Sequence, residues 1–120
     1  LGRSGLQISE LSLGSWVTYH NQVDVSAAKE MLAAAFDAGI NFFDNAEVYA
    51  NGQSETIMGE ALRQLGRSPL DVVVSTKFFW GLDRGGKGQP RINGQDTLNR
   101  KYLHHAIDGS LKRLQRECID

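Results

Sequence analysis

The strongest constraint on the fold is an alternation of short apolar runs with longer helical patterns. Residues 40–44 (INFFD) and residues 72–77 (VVVSTK) are apolar without strict alternation, as expected of strands that are buried on both faces. Further short runs begin near Leu11 and near Cys118. Because helical patterns lie between these runs, the order predicts parallel βαβ units and an α/β fold class.

Three helical patterns separate the predicted strands. The first has Asp24 or Ser26 as its N-cap and Gly39 just beyond its end. The second begins at Ser54, and Asn99 can cap the third. The third helix is predicted to bury one face, which carries Leu103, Ile107, Leu111 and Leu114.

Two architectures fit this order: an open doubly wound sheet or part of a closed barrel. No Gly-x-Gly-x-x-Gly follows the first strand, which argues against a dinucleotide-binding open sheet. A complete barrel needs about 200 residues or more, whereas this chain has 120. A self-sufficient small α/β domain is the further alternative. Residues 81–96 are rich in glycine and are predicted to form a loop.

Composition excludes several classes of function. The chain has 13 basic and 14 acidic residues and a net charge of -1, so it lacks the basic field that nucleic-acid binding requires. No apolar run approaches the roughly 18 residues that span a bilayer, so no membrane insertion is expected. A single cysteine, Cys118, excludes an internal disulfide. It favours a reducing, cytoplasmic location, and it is expected to be buried at the start of a strand.

Two charged residues end the two best-defined strands. Asp44 follows residues 40–43 and Lys77 follows residues 72–76. The carboxyl ends of parallel strands meet at one edge, where functional side chains collect. Tyr49 lies five residues after Asp44, in the loop that leaves the same edge. An ammonium beside a phenol favours negative charge on its oxygen, so the trio predicts Tyr49 as a proton donor that Lys77 and Asp44 tune.

A longer set of motifs resembles a known family. Residues 39–49 (GINFFDNAEVY), followed by residues 52–55 (GQSE) and Gly59, resemble the N-terminal signature of the aldo-keto reductases. Residues 13–18 (LGSWVT) and 76–81 (TKFFWG) are most similar to the branch that contains the voltage-gated potassium channel beta subunits and their bacterial relatives.

The resemblance implies the N-terminal part of a (β/α)8 TIM barrel. Residues 1–6 would form the opening hairpin, three β/α units would follow, and the chain would be truncated at the fourth strand. Residues 1–120 would then be the N-terminal segment of a single barrel domain. Because a partial barrel exposes sheet edges, we expect the segment alone to be inactive, with a longer chain, a completing chain or a homo-oligomer covering those edges.

The resemblance also implies NADPH-dependent reduction of aldehydes or ketones to alcohols. Asp44, Tyr49 and Lys77 match three members of the catalytic tetrad, and the fourth, a His or an Asn, would lie beyond Asp120. Positions that match contacts of the NADP(H) nicotinamide half are Ser15, Trp16, Gln22 and Asp44. Trp80 matches a substrate-binding position, and no metal is implied. Asn45 departs from the usual Thr or Ser and is expected to alter only supporting hydrogen bonds.

The alternative function is a cofactor-binding regulatory barrel related to the potassium channel beta subunits, with slow or vestigial redox activity. In that case contact with a partner protein, more than turnover of a small carbonyl substrate, would be the main role. The residue beyond Asp120 separates the two hypotheses, because His favours brisk reduction and Asn favours regulation.

Overall fold

A computed structural model describes residues 1–82 and 92–120 as three parallel strands with three helices. The strands form one sheet in the order β1–β2–β3. Their bounds are Leu13–Gly14 for β1, Phe42–Asp44 for β2 and Val73–Ser75 for β3. The helices are Val25–Asp37 for α1, Gln53–Leu65 for α2 and Arg100–Leu114 for α3. The predicted loop at 81–96 falls partly on residues 83–91, which lie outside the described residues.

The register of the sheet brings the strand ends to one edge. Asp44 is paired with Gly14 on one side and with Ser75 on the other. The predicted strands at 40–44 and 72–77 are therefore present, although each is shorter than its apolar run. Both β2 and β3 contribute to the core, since Phe43 and Val74 are fully buried.

The helix ends confirm the sequence-based assignments. Asp24, not Ser26, caps α1, and its side chain accepts a hydrogen bond from the Ala27 amide at 2.9 Å. Gly39 has φ +83° and ends the same helix, a backbone conformation that glycine adopts without steric cost. The Asn99 side chain accepts from the Tyr102 amide at 2.9 Å and so caps α3 as predicted.

The predicted buried face of α3 is correct at Leu114 and is shifted by one position along the rest of the helix. The buried residues of this helix are Tyr102, Ala106, Ser110 and Leu114, whereas Ile107 is 40% exposed. Leu103 and Leu111 are half-buried. The rotation follows from polar partners that a hydrophobic pattern does not register, because the Tyr102 phenol and the Arg113 guanidinium both bond to buried carboxylates on neighbouring elements.

Three expectations about the chain ends differ from the structure. Residues 1–6 form a turn rather than two assigned strands, with the Ser4 amide donating to the Leu1 carbonyl at 3.2 Å and the Leu1 amino group donating to the Leu6 carbonyl across the turn. The predicted fourth strand is not formed as a strand, yet the Asp120 amide donates to the Val74 carbonyl at 3.1 Å beside β3. Cys118 is exposed, not buried as expected.

Gly59 allows α2 and α3 to approach closely. A Cβ at this position would lie 2.5 Å from the carbonyl carbon and oxygen of Leu114. We expect Gly59→Ala to lower the free energy of unfolding by about 1–3 kcal/mol, since backbone must shift, despite the better helix propensity of alanine. Urea unfolding measures the change. Gly14→Ala is the control, because a Cβ there would meet nothing within 4 Å, and an equal loss there would contradict the argument.

Tyr19 has a fully buried phenol with no hydrogen-bond partner among the described residues. Burial raises the pKa of Tyr19 from 10.0 to about 12, because the phenolate would be desolvated. The unfolded state therefore ionises first, and stability should fall as pH rises from 10.0 to about 12. We expect Tyr19→Phe to remove this dependence and to raise the free energy of unfolding near neutral pH by about 1 kcal/mol. Urea unfolding of both proteins near neutral pH and between pH 10.0 and about 12 measures the free energies of unfolding. If the stability of Tyr19→Phe fell with rising pH as that of the wild type does, the assignment would be contradicted.

Candidate active site

Asp44 connects the carboxyl ends of the three strands. Its Oδ1 accepts a hydrogen bond from Ser75 Oγ at 2.6 Å, and its Oδ2 accepts from Lys77 Nζ at 2.7 Å. Its main-chain carbonyl accepts from both the amide and the hydroxyl of Ser15, at 3.2 and 3.1 Å. One residue therefore joins the ends of all three strands, and the carboxylate has little freedom to turn away from the lysine.

Lys77 holds the centre of the site. Besides Asp44, its Nζ donates to the Asn45 carbonyl at 2.6 Å and to Tyr49 Oη at 3.4 Å. The ammonium also lies 5.1 Å from the centroid of the Tyr49 ring. The predicted trio of Asp44, Tyr49 and Lys77 is thus one hydrogen-bonded cluster. Since the ammonium is half-exposed, its effect on the phenol is weaker than in a dry interior.

Tyr49 is presented by an unusual turn. Tyr49–Gly52 is a short 3-10 segment in which Ala50, Asn51 and Gly52 all have positive φ, at 48°, 54° and 88°. For Ala50 this left-handed conformation is sterically costly, and such strain is concentrated at functional sites. The Asn51 amide donates to the Val48 carbonyl at 3.0 Å, and the turn leads directly into α2 at Gln53.

The other predicted site residues differ in their exposure and in how closely they contact this cluster. Ser15 is fully buried against Asp44, while Trp16 is 68% exposed and stacks on the Tyr49 ring, with centroids 6.0 Å apart and planes 22° apart. Trp80 is 41% exposed and lies edge-on to Phe79 in the loop after β3. Gln22 is exposed and lines an open cavity of about 570 Å³ with Gln53, and no contact of the described residues joins it to the trio.

Sequence analysis missed several supporting residues. Ser75 binds Asp44, and a serine at the end of a β-branched run gives no signal of that role. Glu47 and Glu55 are buried carboxylates, and both had been noted only as parts of family motifs. A charged residue among apolar neighbours, as in residues 46–48, is the signal that could have identified Glu47.

Asn45 behaves as its departure from the family pattern suggests. Its side chain is buried, and Oδ1 accepts from the Ala46 amide at 2.9 Å, whereas Nδ2 lies 3.6 Å from Met58 Sδ. The first contact is local to the loop, and the second reaches α2. The backbone carbonyl, which any residue type supplies, is the part that reaches Lys77.

Two further classes of site find no support in the described part of the chain. Within residues 1–82 and 92–120, no group of three or more His, Cys, Asp or Glu side chains is placed to hold a metal ion. Across the same residues, no helix has the length and apolar character that crossing a bilayer requires.

Comparison with known proteins identifies the family. Residues 10–120 match the sequence profile of the Aldo/keto reductase family. The chain belongs to the aldo/keto reductase family. The structure agrees, because an aldo-keto reductase from Bacillus halodurans in its holo form superposes with a TM-score of 0.81 at 31% identity. The match covers 100% of this chain and 37% of that one, and it confirms the prediction of an α/β segment of a TIM barrel.

Among aldo/keto reductases, this chain is similar to potassium channel beta-subunit-like proteins. It is 57% identical over 120 residues to a protein of Oryza sativa subsp. japonica named "Probable voltage-gated potassium channel subunit beta". A protein of Arabidopsis thaliana with the same name is 52% identical over 120 residues. Each match covers 100% of this chain, which spans about a third of the length of these curated relatives, 34% in both cases. The predicted resemblance to this branch is confirmed.

Proposed function

We propose that the complete protein reduces aldehydes or ketones to alcohols with NADPH, and that this chain supplies three members of its catalytic tetrad. The observation that carries the proposal is the position of Lys77 Nζ, 2.7 Å from Asp44 Oδ2 and 3.4 Å from Tyr49 Oη. An ion pair that aims an ammonium at an accessible phenol suits proton transfer to a substrate oxygen.

In this mechanism, Tyr49 donates the proton. Reduced nicotinamide, when bound, supplies a hydride to the carbonyl carbon. As the C=O π pair moves onto oxygen, Tyr49 Oη gives its proton to that oxygen and the alcohol forms. Lys77 stabilises the resulting phenolate, and Asp44 keeps the ammonium in place. The phenolate then regains a proton from solvent, to which this edge of the sheet is open.

The residues at the edge fit a flat, partly polar ring. Trp16 and Tyr49 present stacked aromatic surfaces, and the Trp16 ring is 68% exposed. Ser15, next to Trp16 in the chain, donates its hydroxyl to the Asp44 carbonyl, and the Asp44 carboxylate is joined to Tyr49 through Lys77. In the proposal, Ser15, Trp16 and Asp44 would hold the nicotinamide half, Gln22 would contribute from its neighbouring loop, and Trp80 would face the substrate.

The decisive experiment uses the complete protein. Purified protein is mixed with NADPH and a panel of aldehydes and ketones, and loss of NADPH absorbance and formation of alcohol are followed together. Stoichiometric production of alcohol supports the proposal. Tight binding of NADPH with no turnover of any carbonyl would contradict it.

A regulatory role is the second candidate, and the similarity to proteins named as potassium channel beta subunits favours it. In that role the barrel would hold the cofactor and contact a partner protein while turnover is slow. The fourth tetrad residue of the complete protein, which lies beyond Asp120, discriminates the two. His there favours brisk reduction, whereas Asn, with NADPH bound but turned over slowly, favours regulation.

The proposal extends to where the protein acts and with what. A small carbonyl compound is the proposed substrate. A second copy of the protein or a completing chain would cover the unpaired hydrogen-bonding edge of the sheet. The cytoplasm is the proposed location, since Cys118 is an exposed free thiol that persists in a reducing compartment. Thiol labelling of Cys118 in freshly lysed cells tests this, and a disulfide-linked form would contradict it.

A further inference from the structure

Glu47 is a buried carboxylate next to the proposed site and has no role in the mechanism above. It is 2% exposed and lies two residues before Tyr49. Both of its carboxylate oxygens accept from Tyr102 Oη at 2.8 Å, and Oε1 also accepts from the amides of Phe79 and Gly81 at 3.3 Å. These donors are all neutral. Burying a carboxylate costs free energy because the group loses its hydration, and several converging hydrogen-bond donors offset that cost.

The backbone of Glu47 is bound to the same loop. Its amide donates to the Lys77 carbonyl at 3.0 Å. Side chain and backbone together therefore hold residues 77–81 at three points, namely Lys77, Phe79 and Gly81. Because Tyr49 follows Glu47 closely along the chain, this contact fixes the lysine-bearing loop against the tyrosine-bearing loop.

The end of β3 is held separately by a second buried carboxylate. Glu55, in the first turn of α2, is fully buried and accepts from Thr76 Oγ1 at 2.6 Å and from Arg113 Nε at 2.7 Å. Thr76 immediately precedes Lys77. Lys77 thus lies between an anchor at Thr76 and the anchors on Glu47.

We propose that Glu47 is a positioning residue of the reductase site, which sets the separation of Lys77 Nζ from Tyr49 Oη by fixing residues 77–81 against the Tyr49 loop. The inference rests on the proposed function, since the positioned groups are its proton donor and its tuning cation. It acts through Lys77 and touches no reacting atom. A displacement of about 1 Å at a catalytic group costs up to about 10²-fold in rate.

The test compares two replacements of similar size in the complete protein. Glu47→Gln keeps an oxygen for the Phe79 and Gly81 amides and offers its NH2 group to the Tyr102 oxygen, whereas Glu47→Leu removes the acceptor that these donors share. We expect Glu47→Leu to lower kcat by about 10²-fold and Glu47→Gln to restore most of that loss. The Kd for NADPH should stay within about twofold in both, because the change acts on the proton-transfer geometry.

A double-mutant cycle separates positioning from general loosening. If Glu47 acts through Lys77, adding Glu47→Leu to the Lys77→Met variant should lower kcat by no more than about twofold. Equal losses in both backgrounds, or a parallel loss of NADPH binding, would overturn the proposal. So would a Glu47→Gln variant as impaired as Glu47→Leu.

A milder variant keeps the proposal testable if Glu47→Leu does not fold. Tyr102→Phe deletes only the phenol oxygen and should lower kcat by about tenfold, again only while Lys77 is present. Hydrogen exchange at the Phe79 and Gly81 amides gives a readout that needs no turnover. Faster exchange at these amides in Tyr102→Phe, in which the Glu47 carboxylate loses its phenol donor, supports the role of Glu47 in fixing residues 77–81, and unchanged exchange overturns it. Absence of carbonyl reduction by the wild-type protein would refute the proposed function. Exchange at these amides would still decide whether Glu47 fixes residues 77–81.

Discussion

Tyr49→Phe in the complete protein will lower kcat for NADPH-dependent aldehyde reduction by about 10³-fold, within the 10²–10⁴ range for loss of a general acid. Phenylalanine keeps the ring that stacks on Trp16 but removes the oxygen that lies 3.4 Å from Lys77 Nζ. The Kd for NADPH should therefore change little. Steady-state turnover and fluorescence titration of bound NADPH measure the two quantities.

Tyr19→Phe is the matched control for this experiment. Tyr19 also loses only a phenol oxygen, but its side chain belongs to the apolar core and makes no described contact with the trio. Turnover in this variant should equal that of the wild type. If Tyr49→Phe retained wild-type turnover, Tyr49 would not be the proton donor.

Lys77→Met will lower kcat by about 10²–10³-fold while leaving the protein folded. Methionine has a similar length, yet it removes the ammonium that bridges Asp44, the Asn45 carbonyl and Tyr49 Oη. Opposite unit charges 4 Å apart interact by about 4 kcal/mol at an effective dielectric near 20, equivalent to about 10³ in rate. Since the ion pair is partly exposed, with the lysine side chain 49% accessible, we expect the effect at or below that value.

Single-turnover measurements on Lys77→Met test the charge argument. Lys112→Met, at an exposed position of α3, is the control and should not change turnover. Lys77→Arg, which keeps the charge but not the compact ammonium, should fall between the wild type and Lys77→Met. Wild-type turnover in Lys77→Met would show that Tyr49 donates its proton without electrostatic help.

The sequence predicted the main elements because their signals are local. Strand-helix alternation, the Asp24 cap, the Gly39 terminator and the Asn99 cap each depend on a few consecutive residues, and the structure has all of them. The meeting of Asp44 and Lys77 needed only one further rule, that parallel strands end at a common edge.

Interactions between distant segments were beyond prediction. Tyr102 bonds to Glu47 across 55 positions of sequence, and Arg113 bonds to Glu55 across 58. These polar contacts involve residues of α3 that a hydrophobic pattern does not mark as core, and Ile107, which the pattern placed inside, is 40% exposed. The exposure of Cys118 was likewise missed, because burial depends on which neighbours pack against a segment.

By itself, the sequence determined the order of elements, the edge at which Asp44, Tyr49 and Lys77 collect, and the family. Hydrogen-bonded caps and apolar periodicity act over a few residues, so a linear pattern is enough to specify them. Only the tertiary structure decided how α3 is rotated, that Trp16 stacks on Tyr49, and that Glu47 holds the loop of Lys77. Each of these depends on packing between segments far apart in the chain, where the best available partner, not local preference, lowers the free energy.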